Sequence, residues 1–120
     1  MNEQPLIDSS KEKILSLAQE TQFAPNGIVS RTVFRTATSR VVLFGFAAGQ
    51  ELSEHTAAVP AIVHILRGQA RLRLGSDEHE AGEGAWARMP ARLPHSVLAR
   101  TPVVMLLLLL KSAADQPANT

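Results

Sequence analysis

The sequence predicts an all-β domain of sandwich or barrel type, preceded by one short helix. Three observations carry this. Seven short apolar runs follow one another from Gly27 onward: GIVSRTVFR, SRVVLFGFA, AIVHILRG, ARLRLG, GAWARMP, HSVLAR and PVVMLLLLLK. Their spacing is that of strands in a sandwich or barrel. No helical period lies between them, which argues against a parallel α/β sheet. The chain has 120 residues and 45% of them are hydrophobic, enough for one packed core and too few for two.

Taken in order, residues 1–8 read as a loose tail. Ser9 or Ser10 is placed to cap a short helix over SKEKILSLAQE, with Ile14, Leu15 and Ala18 on one side. The phrase Ala24-Pro25-Asn26-Gly27 is a turn signal that ends this segment. Residues 1–27 therefore form the N-terminal tail and helix, and 28–111 the barrel. Within the barrel Arg71–Leu74 alternates polar and apolar residues, as a half-exposed strand does. Gly75–Gly84 is polar and glycine-containing, and reads as a connection between strands, with His79 in a solvated turn. Val103–Leu110 is a continuous aliphatic run of eight residues. A membrane span needs about 20, so the run reads as a buried strand. Residues 112–120 are small and polar, a frayed tail.

Bulk composition excludes several functions. Twelve basic and eleven acidic residues are scattered and leave a net charge of +1. Duplex nucleic acid wants a basic face, so no nucleic-acid partner is expected, and no membrane partner either. The absence of cysteine removes disulfides and thiolate metal sites, and is compatible with a reducing cytoplasm. The N-terminus MNEQPLIDSS has neither the basic nor the apolar part of a signal peptide, so a cytoplasmic location is expected. There is no tyrosine, no serine in a GxSxG setting and no phosphate-cradling glycine loop. Acid–base chemistry falls to His55, His64, His95 or a glutamate.

Two spacings carry the chemistry. Gly49 is followed after five residues by His55, and His55 after twelve by Gly68. Gly84 is followed after five residues by Pro90, with His95 beyond it in MPARLPH. Together these phrases resemble the two motifs of the cupin superfamily, whose small members fold as an antiparallel barrel, a double-stranded β-helix. The first motif reads G, five residues, H-x-H, three or four residues, E, six residues, G. The second reads G, five residues, P-x-G, two residues, H, three residues, N. The resemblance covers roughly residues 28–110.

The departures matter as much as the matches. The second histidine position is Ala57, the glutamate position Ala61, the second-motif glycine Arg92 and the terminal asparagine Ala99. The usual site of the superfamily has three histidines and one carboxylate, and this chain keeps His55 and His95. Catalytic metal sites generally use three protein ligands, so a third is sought, and His64 is the obvious candidate. Strand alternation turns His64 outward if Ala61 points inward, and a bulge near Val59-Pro60 would reverse this. Both faces of that strand are apolar, so the pattern leaves both open: a shifted ligand, or an outer-face residue at a dimer contact. Glu51 and Glu54 are further carboxylates flanking the first motif. Arg92 is a candidate for binding an anionic substrate by a charge-assisted fork. Trp86 and Met89 are candidate pocket residues, although apolar strand positions are more often core or interface.

The resemblance implies a divalent metal (Zn, Mn, Ni or Fe) on His55, His95 and His64, with a small-molecule ligand in the barrel. If the protein is an enzyme, it implies dioxygenase or isomerase chemistry. The alternative is a metal-free small-molecule-binding or sensor cupin, or a structural dimer with a vestigial site. A homodimer is expected, since a twin subunit would cover edge strands and outer aliphatics.

Overall fold

The computed structural model describes residues 4–111, so the expected C-terminal tail lies outside the described residues. One helical turn, α1 (Leu17–Glu20), precedes the strands β1 (Ile28–Arg35), β2 (Ser39–Phe46), β3 (Glu51–His55), β4 (Ala61–Arg67), β5 (Ala70–Leu74), β6 (Asp77–Ala81), β7 (Trp86–Met89), β8 (His95–Ala99) and β9 (Val103–Leu110). The strands form two sheets, ordered β1-β2-β9-β4-β7 and β3-β8-β5-β6. Every pairing is antiparallel. The expected all-β barrel is what forms, with two more strands than the apolar runs indicate. Those two are β3 and β6, which lie at sheet edges and are almost wholly exposed. Asp77–Ala81, read from the sequence as a polar connection, is therefore an edge strand.

The core lies between the sheets. Phe46, Ile65, Met89, Val103 and Met105 are its largest fully buried side chains, and burying each contributes about 1.5–3 kcal/mol. Leu72, Val97 and Ala99 meet them from the smaller sheet. The aliphatic run Val103–Leu110 is uninterrupted because β9 sits between β2 and β4 and is apolar on both faces. Met105, Leu107 and Leu109 join the inner cluster, while Val104, Leu106 and Leu108 join a second cluster on the outside.

Leu6, Ile7 and Leu17 pack against that outer cluster. The chain's own N-terminal segment thus covers part of the face for which a twin subunit was expected. Residues 1–8 are not wholly a loose tail. The Leu6 N–H donates to the Thr32 carbonyl at 3.1 Å and the Ile7 N–H to the Val33 carbonyl at 2.7 Å. A register shift between Thr32 and Phe34 in β1 inserts Val33 there and takes it out of the regular ladder. The expected helix over SKEKILSLAQE shrinks to Leu17–Glu20. Ser10 does not cap it: its N–H and hydroxyl both donate to the Asp8 carboxylate, at 2.9 and 2.7 Å. Ser16 stands at the N-cap position without a side-chain bond, and so short a helix gains little from propagation. No helix among the described residues is long and apolar enough to cross a membrane.

Two motif glycines separate conformational from steric demand. Gly68 (φ +90°) and Gly84 (φ +87°) both need the left-handed region. A Cβ on Gly84 would meet open space, whereas one on Gly68 would strike the Pro102 carbonyl oxygen. Gly84→Ala is expected to cost about 1–2 kcal/mol for the backbone alone. Gly68→Ala is expected to cost roughly 3 kcal/mol or more, because a backbone clash adds to the same penalty. Urea denaturation of the two variants beside the parent measures the difference.

Candidate functional site

His95 opens β8, the strand between β3 and β5. It shares the inner face with Val97 and Ala99, two and four residues on, and is only 6% exposed. Pro94 fixes the approach to the strand, and its carbonyl accepts the Gly75 N–H at 2.7 Å. His55 closes β3 and lies directly opposite His95. The two rings are 4.1 Å apart between centroids, edge to face at 63°.

An irregularity in β3 creates this pairing. Leu52 opposes Val97 and His55 opposes His95. Three steps along β3 therefore match two along β8. In a regular ladder Glu54 would stand opposite His95 and His55 would face outward. The extra residue sets His55 on the inner face and moves Glu54 away from it. Glu51 opposes Leu98 on the outer side, with its carboxylate 3.9 Å from the Arg71 guanidinium. Neither glutamate joins the histidines.

Both rings are tethered alike. His55 Nδ1 is 2.8 Å from the Ser53 carbonyl oxygen, and His95 Nδ1 is 2.8 Å from that of Leu93. A carbonyl oxygen only accepts, so each Nδ1 carries the proton and donates. In the neutral rings both Nε2 atoms then hold free lone pairs. Burial holds the His95 pKa below the ordinary histidine value, and a charged His55 would lower it further. The Leu93 carbonyl opposes this only in part. His95 is thereby kept neutral, the state in which an imidazole accepts a hydrogen bond or ligates a metal.

His64 does not join this pair. β4 pairs regularly with both neighbours from Ala61 to Ile65, with no bulge to reverse it. Ala61, Val63 and Ile65 fill the inner core, so His64 points to the outer face, opposite Leu106 and Trp86. Trp86 likewise lies on the outside, 58% exposed. It lines a cleft of about 350 Å³ with Leu72, Leu74 and His79; neither His55 nor His95 lines it, although Leu74 stands opposite His95 between β5 and β8. Met89 is a core residue, 1% exposed. No group of three or more histidine, aspartate or glutamate side chains placed to hold a metal occurs among the described residues. The groups that sequence reasoning missed are the Ser53 and Leu93 carbonyls. They are backbone atoms, and nothing in the residue pattern marks them.

The cupin domain model matches residues 42–109, more than half of the chain. The chain belongs to the cupin superfamily. Among solved structures, a conserved protein of unknown function from Streptococcus pyogenes is 29% identical, with a TM-score of 0.79 over 93% of this chain and 96% of that one. An RmlC-like cupin from Desulfovibrio desulfuricans is 26% identical, with a TM-score of 0.77 over 84% and 98%. A cupin 2 conserved barrel domain protein from Leptotrichia buccalis is 28% identical, with a TM-score of 0.75 over 81% of this chain and 47% of that one. No curated protein sequence matches the chain.

In this cupin the glycine position of the second motif is Arg92, and it keeps a glycine conformation, with φ +68°. The Arg92 N–H donates to the Ala57 carbonyl at 2.7 Å, and the next N–H, of Leu93, closes a turn onto Pro90 at 3.4 Å. A left-handed non-glycine residue costs about 1–2 kcal/mol. The loop holds Arg92 in that state three residues before His95, bonded to Ala57, which lies two residues past His55.

The depressed His95 pKa has a sign. Unfolded chains take up the proton first as pH falls, so stability is full above about pH 6.5 and declines as pH drops toward the lower folded value. Chelator-treated protein is expected to lose melting temperature between about pH 7 and pH 5, and His95→Leu to lose part of that slope. Thermal melts across this range test it, and an NMR titration of the His95 ring should give a midpoint below about 6.5.

Proposed function

We propose that this cupin binds a small molecule at the histidine end of its barrel, with a divalent metal ion held between His55 and His95. The observation that carries the reading is the matched tethering of the two rings. Each Nδ1–H is bonded to the carbonyl two residues before it, at 2.8 Å. Metal-bound histidines almost always donate their other ring N–H in this way, which fixes the tautomer and aims the free nitrogen.

The donor set offers a metal two imidazole nitrogens, and no third ligand group stands with them among the described residues. His55 and His95 would hold the ion, and it would act there as a Lewis acid toward an oxygen of the ligand. Imidazole donors suit zinc, nickel and iron better than manganese. Two protein ligands are fewer than the three usual in catalytic sites, so these residues alone would hold an ion only weakly. The chain's own work is to orient both imidazoles, to keep His95 neutral and to exclude water from it. Dioxygenase or isomerase chemistry is compatible with so open a site. A second reading is favoured by the missing third ligand. The two Nε2 lone pairs would then accept hydrogen bonds from hydroxyl or ammonium groups of a ligand, with no metal present.

Calorimetric titration of chelator-treated protein with Ni²⁺ and Zn²⁺ separates the readings. The expected result is saturable binding of a single ion per chain. His55→Ala or His95→Ala should weaken it by at least about tenfold, while His64→Ala leaves it unchanged. Absence of saturable binding, or its loss in His64→Ala, overturns the metal reading. Saturable binding of a small molecule to metal-free protein would then support the second.

A further inference from the structure

We propose that the end of the β1–β2 hairpin is an oxyanion site, built on Arg40 with Arg35 opposite it, and that it takes a phosphate group. The inference goes beyond the reading above and needs neither histidine nor a metal ion. Register places Arg40 on the inner face of the larger sheet. It stands opposite Leu109 of β9, which packs against the inner core, and opposite Arg35 of β1. Residues directly opposite in an antiparallel pair share a face. The next inner positions of β2 are Val42, Phe44 and Phe46, so Arg40 is a cation at the end of an apolar row. Arginine is rarely buried among apolar groups unless it is paired.

The guanidinium is held in place. Arg40 Nη2 donates to the Thr32 hydroxyl at 3.1 Å, and Thr32 is only 4% exposed. Arg40 Nε is buried and has no hydrogen-bond partner among the described residues. Arg71 Nε is in the same condition, but there Glu51 lies 3.9 Å from the guanidinium and Glu80 stands opposite in β6. Arg40 has no such balance: among the described residues no carboxylate forms an ion pair with Arg40 or Arg35. Asp8 borders a small cavity with Arg35, yet its carboxylate accepts from Ser10 instead. Like charges directly opposite in a ladder destabilise it. Lys111 adds a further cation, since its N–H donates to the Thr38 carbonyl in the hairpin turn at 2.8 Å. A phosphate group brings two negative charges and several acceptor oxygens to such a cluster, and a guanidinium fork matches it in shape. Arg40 is the second residue of β2 and half-buried rather than sealed, so a small anion can reach it.

The test uses the chelator-treated full chain, so its outcome is separate from that of the Ni²⁺ titration. Inorganic phosphate is compared with sodium chloride of equal ionic strength, which screens charge without bridging it. Saturating phosphate is expected to raise the melting temperature by about 3 °C or more over chloride. The Arg40 Nε–H resonance, assigned through Arg40→Lys, should shift saturably. Acetate should bind at least about tenfold more weakly than phosphate. Arg40→Lys should weaken phosphate at least about tenfold, because lysine lacks the planar fork. Arg35→Gln, at an exposed position, should weaken phosphate about threefold or more and, in chloride alone, melt higher than the parent because the facing charge is gone. Arg73→Gln, on the outer face of β5, should leave phosphate affinity unchanged. An arginine pair serving the fold alone would not lose phosphate while gaining stability. Should Arg40→Lys fail to fold, Arg35→Gln decides. No rise beyond chloride, an unmoved Arg40 resonance, or equal phosphate affinity in the parent and Arg35→Gln overturns the proposal. Acetate binding as tightly as phosphate overturns the assignment to a phosphate group.

Discussion

Successive residues of a β-strand point to opposite faces, and this cupin depends on where that alternation is kept and where it is broken. It is kept through β4 as far as Ile65 and through most of β9. There it delivers Val63, Ile65, Met105 and Leu107 to the core and sends His64 and Leu106 to the other side. It is broken in β3, where one extra residue between Leu52 and His55 resets the face. Were the same residues paired without the bulge, Glu54 would stand against His95, and the end of the barrel would hold an imidazole beside a carboxylate. With it, two imidazoles meet 4.1 Å apart. A bulge of this kind re-aims a side chain at small cost, because β3 is an edge strand with an unpaired side on which the kink can be absorbed.

The chemistry of the pair follows from its backbone partners. Two neutral rings with both Nε2 atoms free would lose little by standing alone at an exposed surface. His95 is not exposed, and burial favours its neutral ring, whose Nε2 lone pair is then available to a metal ion or a hydrogen-bond donor. The same desolvation that holds the His95 pKa down keeps the ring from satisfying itself with a proton. One physical cause, burial at the start of β8, thus keeps the ring neutral and its lone pair free.

Much of this was legible in the sequence, and the exceptions have a common reason. Apolar runs mark the seven strands that bury side chains. β3 and β6 escape because each has a single residue out of full exposure, Leu52 in the first and Ala81 in the second, so no period rises above the polar background. His55 and His95 were legible from their spacing to Gly49, Pro90 and the other motif glycines. The face of His64 was not. Ile62, Val63, Ile65 and Leu66 surround it with aliphatics on both sides of the strand, and a period of two is invisible when both phases are apolar. Only the unbroken register with Leu106 and Trp86 resolves it. The β3 bulge was equally hidden, since Ser53 and Glu54 are residues that a regular exposed strand would also carry.

The positive-φ positions extend the same logic from strands to loops. Four glycines and two other residues, Asn26 and Arg92, occupy the left-handed region. Asn26 belongs to the turn Ala24–Gly27, and asparagine tolerates that conformation well. Arg92 has no such excuse: its side chain offers no local hydrogen bond to compensate the backbone, and a glycine there would relax it. The loop is nevertheless held to Ala57 by one short bond, so the fold retains the shape that a glycine would allow while displaying a guanidinium instead. The same loop, through Leu93, supplies the carbonyl that orients His95. Position 92 therefore couples backbone strain, ring orientation and charge within four residues. A glycine at this position is therefore expected to stabilise the loop by relaxing its backbone.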